Sequence, residues 1–204
     1  CFDIRDSSSQ NQKVMKLCFV SNNKNKLLEV SSILKNIEII SLEDIGFNEE
    51  ILETGSSLKE NSQLKAKCIY DKFNIDCFAD DTGLEIESLN GEPGVYSARY
   101  AGNRSNSTDN INLVLKKMKN STNRNAQFRT IVTLYLKSKV YFFDGSIRGT
   151  ISSQPIGKFG FGYDSIFIPE GYNLTFAQMT GDDKNKISHR KKAIQKLNTF
   201  LINN

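Results

Sequence analysis

Short apolar runs alternate with amphipathic stretches through the first third of the chain, and the period changes from helical to alternating in its middle. Residues 16–20 (KLCFV) are an apolar run that predicts a strand. After polar 21–26, Leu27, Leu28, Val30, Ile33 and Leu34 recur at helical spacing. Residues 37–40 predict a second strand. Ser57 and Glu60 form a capping-box pattern that opens a helix running to about Phe73, with Leu58, Leu64 and Cys68 inward. Residues 75–79 return as a strand that runs into Asp80-Asp81-Thr82-Gly83. Residues 84–89 alternate apolar and acidic and predict a half-exposed strand, followed by a Gly/Pro turn at 91–94.

In the second half, Ser107 is placed to cap a helix bearing Ile111, Val114, Leu115 and Met118. Residues 128–136 and 140–151 read as two long strands joined by a tight turn at Ser138-Lys139. Residues 165–168 predict a short strand and 187–202 a terminal helix with Ile194, Leu197 and Leu201 on one face. Strands and helices alternate early, with a long antiparallel pair in the middle. The fold class expected is therefore α/β, built on a mixed sheet.

The chain's 204 residues suit one domain with its own core. Residues 1–14 are polar and lack the apolar segment of a secretory signal, so they are read as an extension, with residues 15–204 as the folded unit. No apolar run approaches a membrane span of roughly 20 residues. Cys18 and Cys77 lie inside strand-like runs, where reduced core thiols are expected, and this favours a cytoplasmic protein. A net charge of +4 decides nothing about partners.

Four polar clusters interrupt the scaffold. Ser21, Asn22, Asn23, Lys24, Asn25 and Lys26 form a strand-to-helix loop whose free amides and helix dipole favour phosphate, although the Walker A pattern is absent. Glu53-Thr54-Gly55 precedes a helix carrying Glu60, Asn61 and Lys65. Asp80 and Asp81 leave a buried strand as an acidic pair, of which one is expected to face a site and the other its support. Mg²⁺ commonly takes one or two such carboxylates together with substrate phosphates. Finally, Phe161, Gly162, Tyr163 and Asp164 lie in a glycine-rich bend suited to stacking a flat base, and Lys184, His189 and Arg190 lead into the last helix. The bend lacks dinucleotide-fingerprint spacing. No interleaved basic and aromatic platform for nucleic acid is present.

Taken in order, the strings FVSNNKNKLLEV, ETGSSLKENSQLKA, FADDTGLEIESLNGEPGVYSARYAG, GFGYDSIF and KNKISHRKKA resemble the inosine triphosphate pyrophosphatase family, the noncanonical purine NTP pyrophosphatases. The resemblance implies an elongated α/β fold with two lobes, a nucleotide cleft between them, a homodimer, and Mg²⁺-dependent hydrolysis of ITP, dITP and XTP. By position it implies that residues 21–26 hold the triphosphate with help from Lys65. Asp81 becomes metal ligand and general base, with Thr82 beside the substrate, and residues 161–164, Lys184, His189 and Arg190 surround base and sugar. Arg190 is expected to read the purine 6-oxygen.

Some positions depart from the family pattern. Asn22 and Asn25 stand where glycines are usual, and asparagine tolerates positive φ. Leu52 replaces the first of two glutamates, leaving Glu53 or Glu50 as the second metal ligand. Residues 91–101 read as a protruding segment that packs against a partner copy. The alternatives are a Maf-like pyrophosphatase for pyrimidine or modified nucleotides, and a nucleotide- or RNA-binding protein without turnover.

Overall fold

A computed structural model describes residues 14–102, 104 and 106–204. The extension read into residues 1–14 lies, apart from exposed Val14, outside the described residues. Six strands form one mixed sheet in the order β2-β1-β3-β4-β5-β6. Strand β1 (Met15–Phe19) runs parallel to both neighbours, β2 (Ile37–Ile40) and β3 (Cys77–Ile86). The rest of the sheet is antiparallel, through β4 (Asn125–Leu136), β5 (Lys139–Ile151) and β6 (Phe167–Pro169). The expected mixed α/β sheet is therefore present.

Helices cover both faces around β1. Leu17 and Phe19 point toward α1 (Lys24–Ile33) and α5 (His189–Ile202), packing with Val30, Ile194 and Leu197. Cys18 and Val20 point the other way, against Ala66 and Ile69 of α2 (Leu58–Phe73). A strand buried on both faces reads as a continuous apolar run, which is why KLCFV shows no alternation. A third core lies along the antiparallel strands, where Leu84, Phe128, Ile147 and Phe167 meet Ile111 and Val114 of α3 (Ser107–Lys117).

The chain leaves β1 for β2 through α1 on one side of the sheet, then crosses back to β3 through α2 on the other. The carboxyl end of β1 is thus a topological switch point, where the loops diverge and leave a crevice. Gly145 on β5 lets the start of α5 lie directly on the sheet: a Cβ there would stand 2.2 Å from the His189 carbonyl oxygen and 2.5 Å from the Ala193 nitrogen. That contact fixes His189 and Arg190 over the crevice.

Several elements differ from the expectation. The two strands expected at 75–79 and 84–89 are one, β3, because Asp80 to Gly83 stay in register with β4 from Val132 to Arg129. A 3₁₀ turn, Glu87–Leu89, ends it. Asn106, not Ser107, caps α3 and forms a reciprocal box with Asp109. The hairpin turn uses Lys137 and Ser138, both at positive φ, one residue earlier than expected. The basic run at 184–190 is split into α4 (Gly181–Ile187) and α5, with Ser188 ending one and capping the other. Residues 91–101 do not protrude as expected: the 3₁₀ segment Gly94–Arg99 lies against β3.

Candidate active site

Neighbouring residues of a strand point to opposite faces, and Asp80 and Asp81 use this to part company. Asp80 turns toward α1 and α5. Its side chain is fully buried, with Lys26 Nζ at 2.9 Å on one oxygen and Arg190 Nε at 3.0 Å on the other. Thr82, two residues on, donates to it at 3.3 Å and shares a hydrogen bond of 2.7 Å with Thr130 of β4. Burial opposes the charge, yet Lys26, Arg190 and Lys65 outweigh it and hold the Asp80 carboxyl well below the usual range.

Asp81 turns toward α2. One oxygen accepts from the Thr82 amide at 3.0 Å and lies 3.6 Å from Lys65 Nζ. The other oxygen is buried and has no hydrogen-bond partner. Burial raises the Asp81 pKa, with Lys65 opposing and Glu53 adding to the rise. Lys65 also donates to Glu53, so one ammonium stands between two carboxylates. Burial works against its charge, but Asp81, Glu53 and Asp80 prevail and raise its pKa.

A second set of charges lies at the aromatic end. Lys184 Nζ is 2.7 Å from Asp164 and 2.9 Å from Glu29, and 4.6 Å from the centre of the Phe161 ring. Glu29, on α1, also pairs with Arg190 Nη1. The third guanidinium nitrogen of Arg190 donates to Thr82 at 3.2 Å. The bend is held by the Phe161 amide on Asp164 at 2.8 Å and by the Tyr163 hydroxyl on the Ser97 carbonyl at 2.8 Å. His189 stacks on Phe128 with ring centres 4.7 Å apart, and its Nδ1 has no partner. Burial, then the charges of Arg190 and Lys184, push its pKa well below the ordinary value, so it is neutral.

Apart from Asp80, Glu29 and Thr130, these groups line one cleft of about 650 Å³ at the switch point. Cations and a carboxylate with a free oxygen occupy one end; aromatic rings and buried polar groups occupy the other. The dimensions and chemistry suit a nucleotide with its phosphates.

Residues 17–200 match the Ham1 family. The chain belongs to that family. It is 51% identical over 190 residues to a dITP/XTP pyrophosphatase of Flavobacterium psychrophilum, covering 93% of this chain and 100% of the relative. The corresponding protein of Flavobacterium johnsoniae is 52% identical over 188 residues, 92% and 98% of the two chains. Among solved structures, the Ham1 protein of Staphylococcus aureus superimposes with a TM-score of 0.85 at 36% identity, covering 92% of this chain and 98% of that one. A HAM1 protein from Coxiella burnetii gives 0.86 at 33%, with 93% and 100% covered. The resemblance read from the sequence strings is thus borne out.

Within this Ham1 chain, Ser21, Asn22, Asn23, Asn25, Lys26, Glu50, Glu53, Lys65, Asp81 and Thr82 all line the cleft, as do residues 161–164, Lys184, His189 and Arg190. Lys24 does not; it is exposed on the first turn of α1. The loop's amides are also less free than expected, because Asn23 caps α1 and accepts from the Asn25 and Lys26 amides at 3.0 and 3.2 Å. Neither Asn22 nor Asn25 has positive φ, so no glycine is required there. Sequence reasoning missed Glu29, Arg99 and Thr130. Glu29 was reachable, since it stands three residues after Lys26 on the same face of α1. Thr130 follows only from the β3–β4 register.

Among the described residues no three histidines, cysteines or carboxylates gather as a metal cluster. The unpartnered Asp81 oxygen with Glu53 across Lys65 nevertheless fits Mg²⁺, which needs only one or two carboxylates when phosphates supply the rest.

Proposed function

We propose that this protein hydrolyses noncanonical purine nucleoside triphosphates, dITP, XTP and ITP, to the monophosphate and pyrophosphate, in a magnesium-dependent reaction. The observation that carries the reading is the Asp81 carboxylate, which lines a nucleotide-sized cleft and has one buried oxygen without a hydrogen-bond partner. Relatives that match along nearly their whole length are named dITP/XTP pyrophosphatases.

Lys26 and Lys65 supply positive charge for the phosphates, and each is already paired to an aspartate that sets its position. Asp81 and Glu53 would hold Mg²⁺, which supplies charge neutralisation at phosphate oxygens. The oxygen of a water forms the new bond to phosphorus while the bond to the pyrophosphate group breaks. Asp81, a carboxylate lining the cleft, is the group assigned to take the water's proton. Positioning and electrostatics carry the rate, and no covalent nucleophile is needed.

At the other end, Phe161 offers a ring for stacking, and Lys184 and Arg190 carry donors only, although both are already paired inside the protein, Lys184 with Asp164 and Glu29 and Arg190 with Asp80, Glu29 and Thr82. Donors favour the keto oxygen of hypoxanthine and xanthine over the amino group of adenine. The reading extends to a homodimer, from the family resemblance, to the cytoplasm, from the reduced core cysteines Cys18 and Cys77, and to free nucleotides in place of nucleic acid. Among the described residues no helix is long and apolar enough to cross a membrane. The test is pyrophosphate release from dITP, XTP, ITP, GTP, ATP and dTTP with and without Mg²⁺. Metal-dependent release from dITP, XTP and ITP, with little from ATP or dTTP, is expected. Preference for dTTP, or tight binding without release, sinks the proposal.

A further inference from the structure

Segment 91–101 leaves no role in the chemistry described so far, yet its last turn reaches the cleft. Glu53 lies between β2 and α2 in a stretch with no ladder or helical hydrogen bonds to fix it. Its main-chain carbonyl accepts from Arg99 Nη2 at 3.0 Å, and its carboxylate lies 3.6 Å from Arg99 Nη1. Two residues later the same loop is pinned again, where the Gly55 amide donates to Asn61 at 2.8 Å.

Arg99 is itself anchored to the strand that carries Asp81. A Cβ on Gly83 of β3 would stand 2.5 Å from the Gly94 carbonyl oxygen, so only glycine lets the 3₁₀ segment lie this close. Ser97 fastens it further, accepting from the Leu84 amide at 2.9 Å and donating to the Gly94 carbonyl at 2.6 Å. Arg99 therefore spans from β3 to the loop, and both carboxylates are referred to one rigid strand.

We propose that Arg99 is a positioning residue which sets Glu53 against Asp81 so that the two carboxylates take one divalent cation together. The inference rests on the magnesium-dependent reading above. A guanidinium suits the task because two nitrogens engage a carbonyl and a carboxylate at once in a fixed plane, which a lysine ammonium does not reproduce. Groups that orient a metal ligand without touching the metal typically matter tenfold to a hundredfold in metal affinity.

The experiment is a double-mutant cycle on Arg99→Gln and Glu53→Gln. The readout is the Mn²⁺ dissociation constant, measured by paramagnetic resonance with a nonhydrolysable α,β-imido analogue of dITP present. Arg99→Gln is expected to weaken Mn²⁺ binding about tenfold, Arg99→Lys by less, and Arg99→Gln to do nothing further once Glu53 is Gln. Unfolding midpoints are measured alongside, so that lost metal affinity is separated from lost stability at these largely buried side chains. If Arg99→Gln does not fold, Arg99→Lys carries the same cycle. Unchanged Mn²⁺ affinity, or an equal loss in the Glu53→Gln background, overturns the role of Arg99. A wild-type protein that binds Mn²⁺ and the analogue but releases no pyrophosphate from dITP or XTP overturns the proposed activity instead, and leaves the cycle readable.

Discussion

Adjacent aspartates on one strand carry different work because the pleat separates them. Asp80 pairs with Lys26 and Arg190 inside the protein, whereas Asp81 lines the cleft with one buried oxygen left unpartnered. Asp81→Asn is therefore expected to abolish pyrophosphate release with little change in unfolding midpoint. Asp80→Asn removes the anion from two buried cations, and breaking such a buried pair costs about 3–5 kcal/mol. Its signature is a large fall in stability, measured by urea unfolding, alongside any loss of rate. Equal stability in the two variants would refute this division of labour. The residues alone indicated that one carboxylate would face the site and the family resemblance named Asp81, which the structure turns toward Lys65 of α2 and the cleft. Arg190 shows a limit. Its place at a helix start was legible, but its three donors to Asp80, Glu29 and Thr82 come from residues far apart in sequence.

At the scale of elements, β1, α1 and β2 were legible from their apolar runs and spacing and α2 from its Ser57–Glu60 cap, although the inward face of α2 holds Asn61, Ser62 and Lys65 and Leu64, expected inward, is exposed. The continuity of β3 was not legible, since an acidic pair followed by Thr-Gly resembles a strand end and only pairing with β4 carries it through. The break between α4 and α5 was hidden for a similar reason: a basic run has no apolar period to interrupt. Ser188 makes that break. Its amide closes α4 on the Lys184 carbonyl at 2.9 Å, and its hydroxyl accepts from the Lys191 amide at 3.1 Å to open α5. Because His189 and Arg190 form the first turn after it, the cap aims two cleft residues at once. Ser188→Ala should cost about 1 kcal/mol and Ser188→Gly only a few tenths, the order typical of N-caps. Urea midpoints of the two variants check it, and a glycine variant weaker than the alanine one would mean that the backbone, not the hydroxyl, decides this corner.

Across the whole molecule, the cleft draws together loops from both faces of the sheet, and one group there couples the fold to pH. His189 is the chain's single histidine, buried on Phe128 and held neutral. In the unfolded chain an ordinary histidine titrates near 6.5. Below that pH the unfolded state binds a proton that the native state refuses, so stability rises with pH across this window. The contribution is complete above about 6.5 and is lost as pH falls toward the depressed native pKa, at about 1.4 kcal/mol per pH unit. Asp81 and Asp164, both raised by burial, slope the other way nearer the carboxylate range. They are common to wild type and variant, so the comparison should isolate the histidine. Urea unfolding of wild type and His189→Asn at pH 7.5, 6.0 and 5.0 is the measurement. Whatever the asparagine costs at pH 7.5 through lost stacking, the gap should narrow on acidification, because only the wild type has a histidine to protonate. Parallel curves would mean that the imidazole takes up a proton as readily in the folded protein as in the unfolded one, and the neutral, unpartnered Nδ1 of the cleft would have to be abandoned.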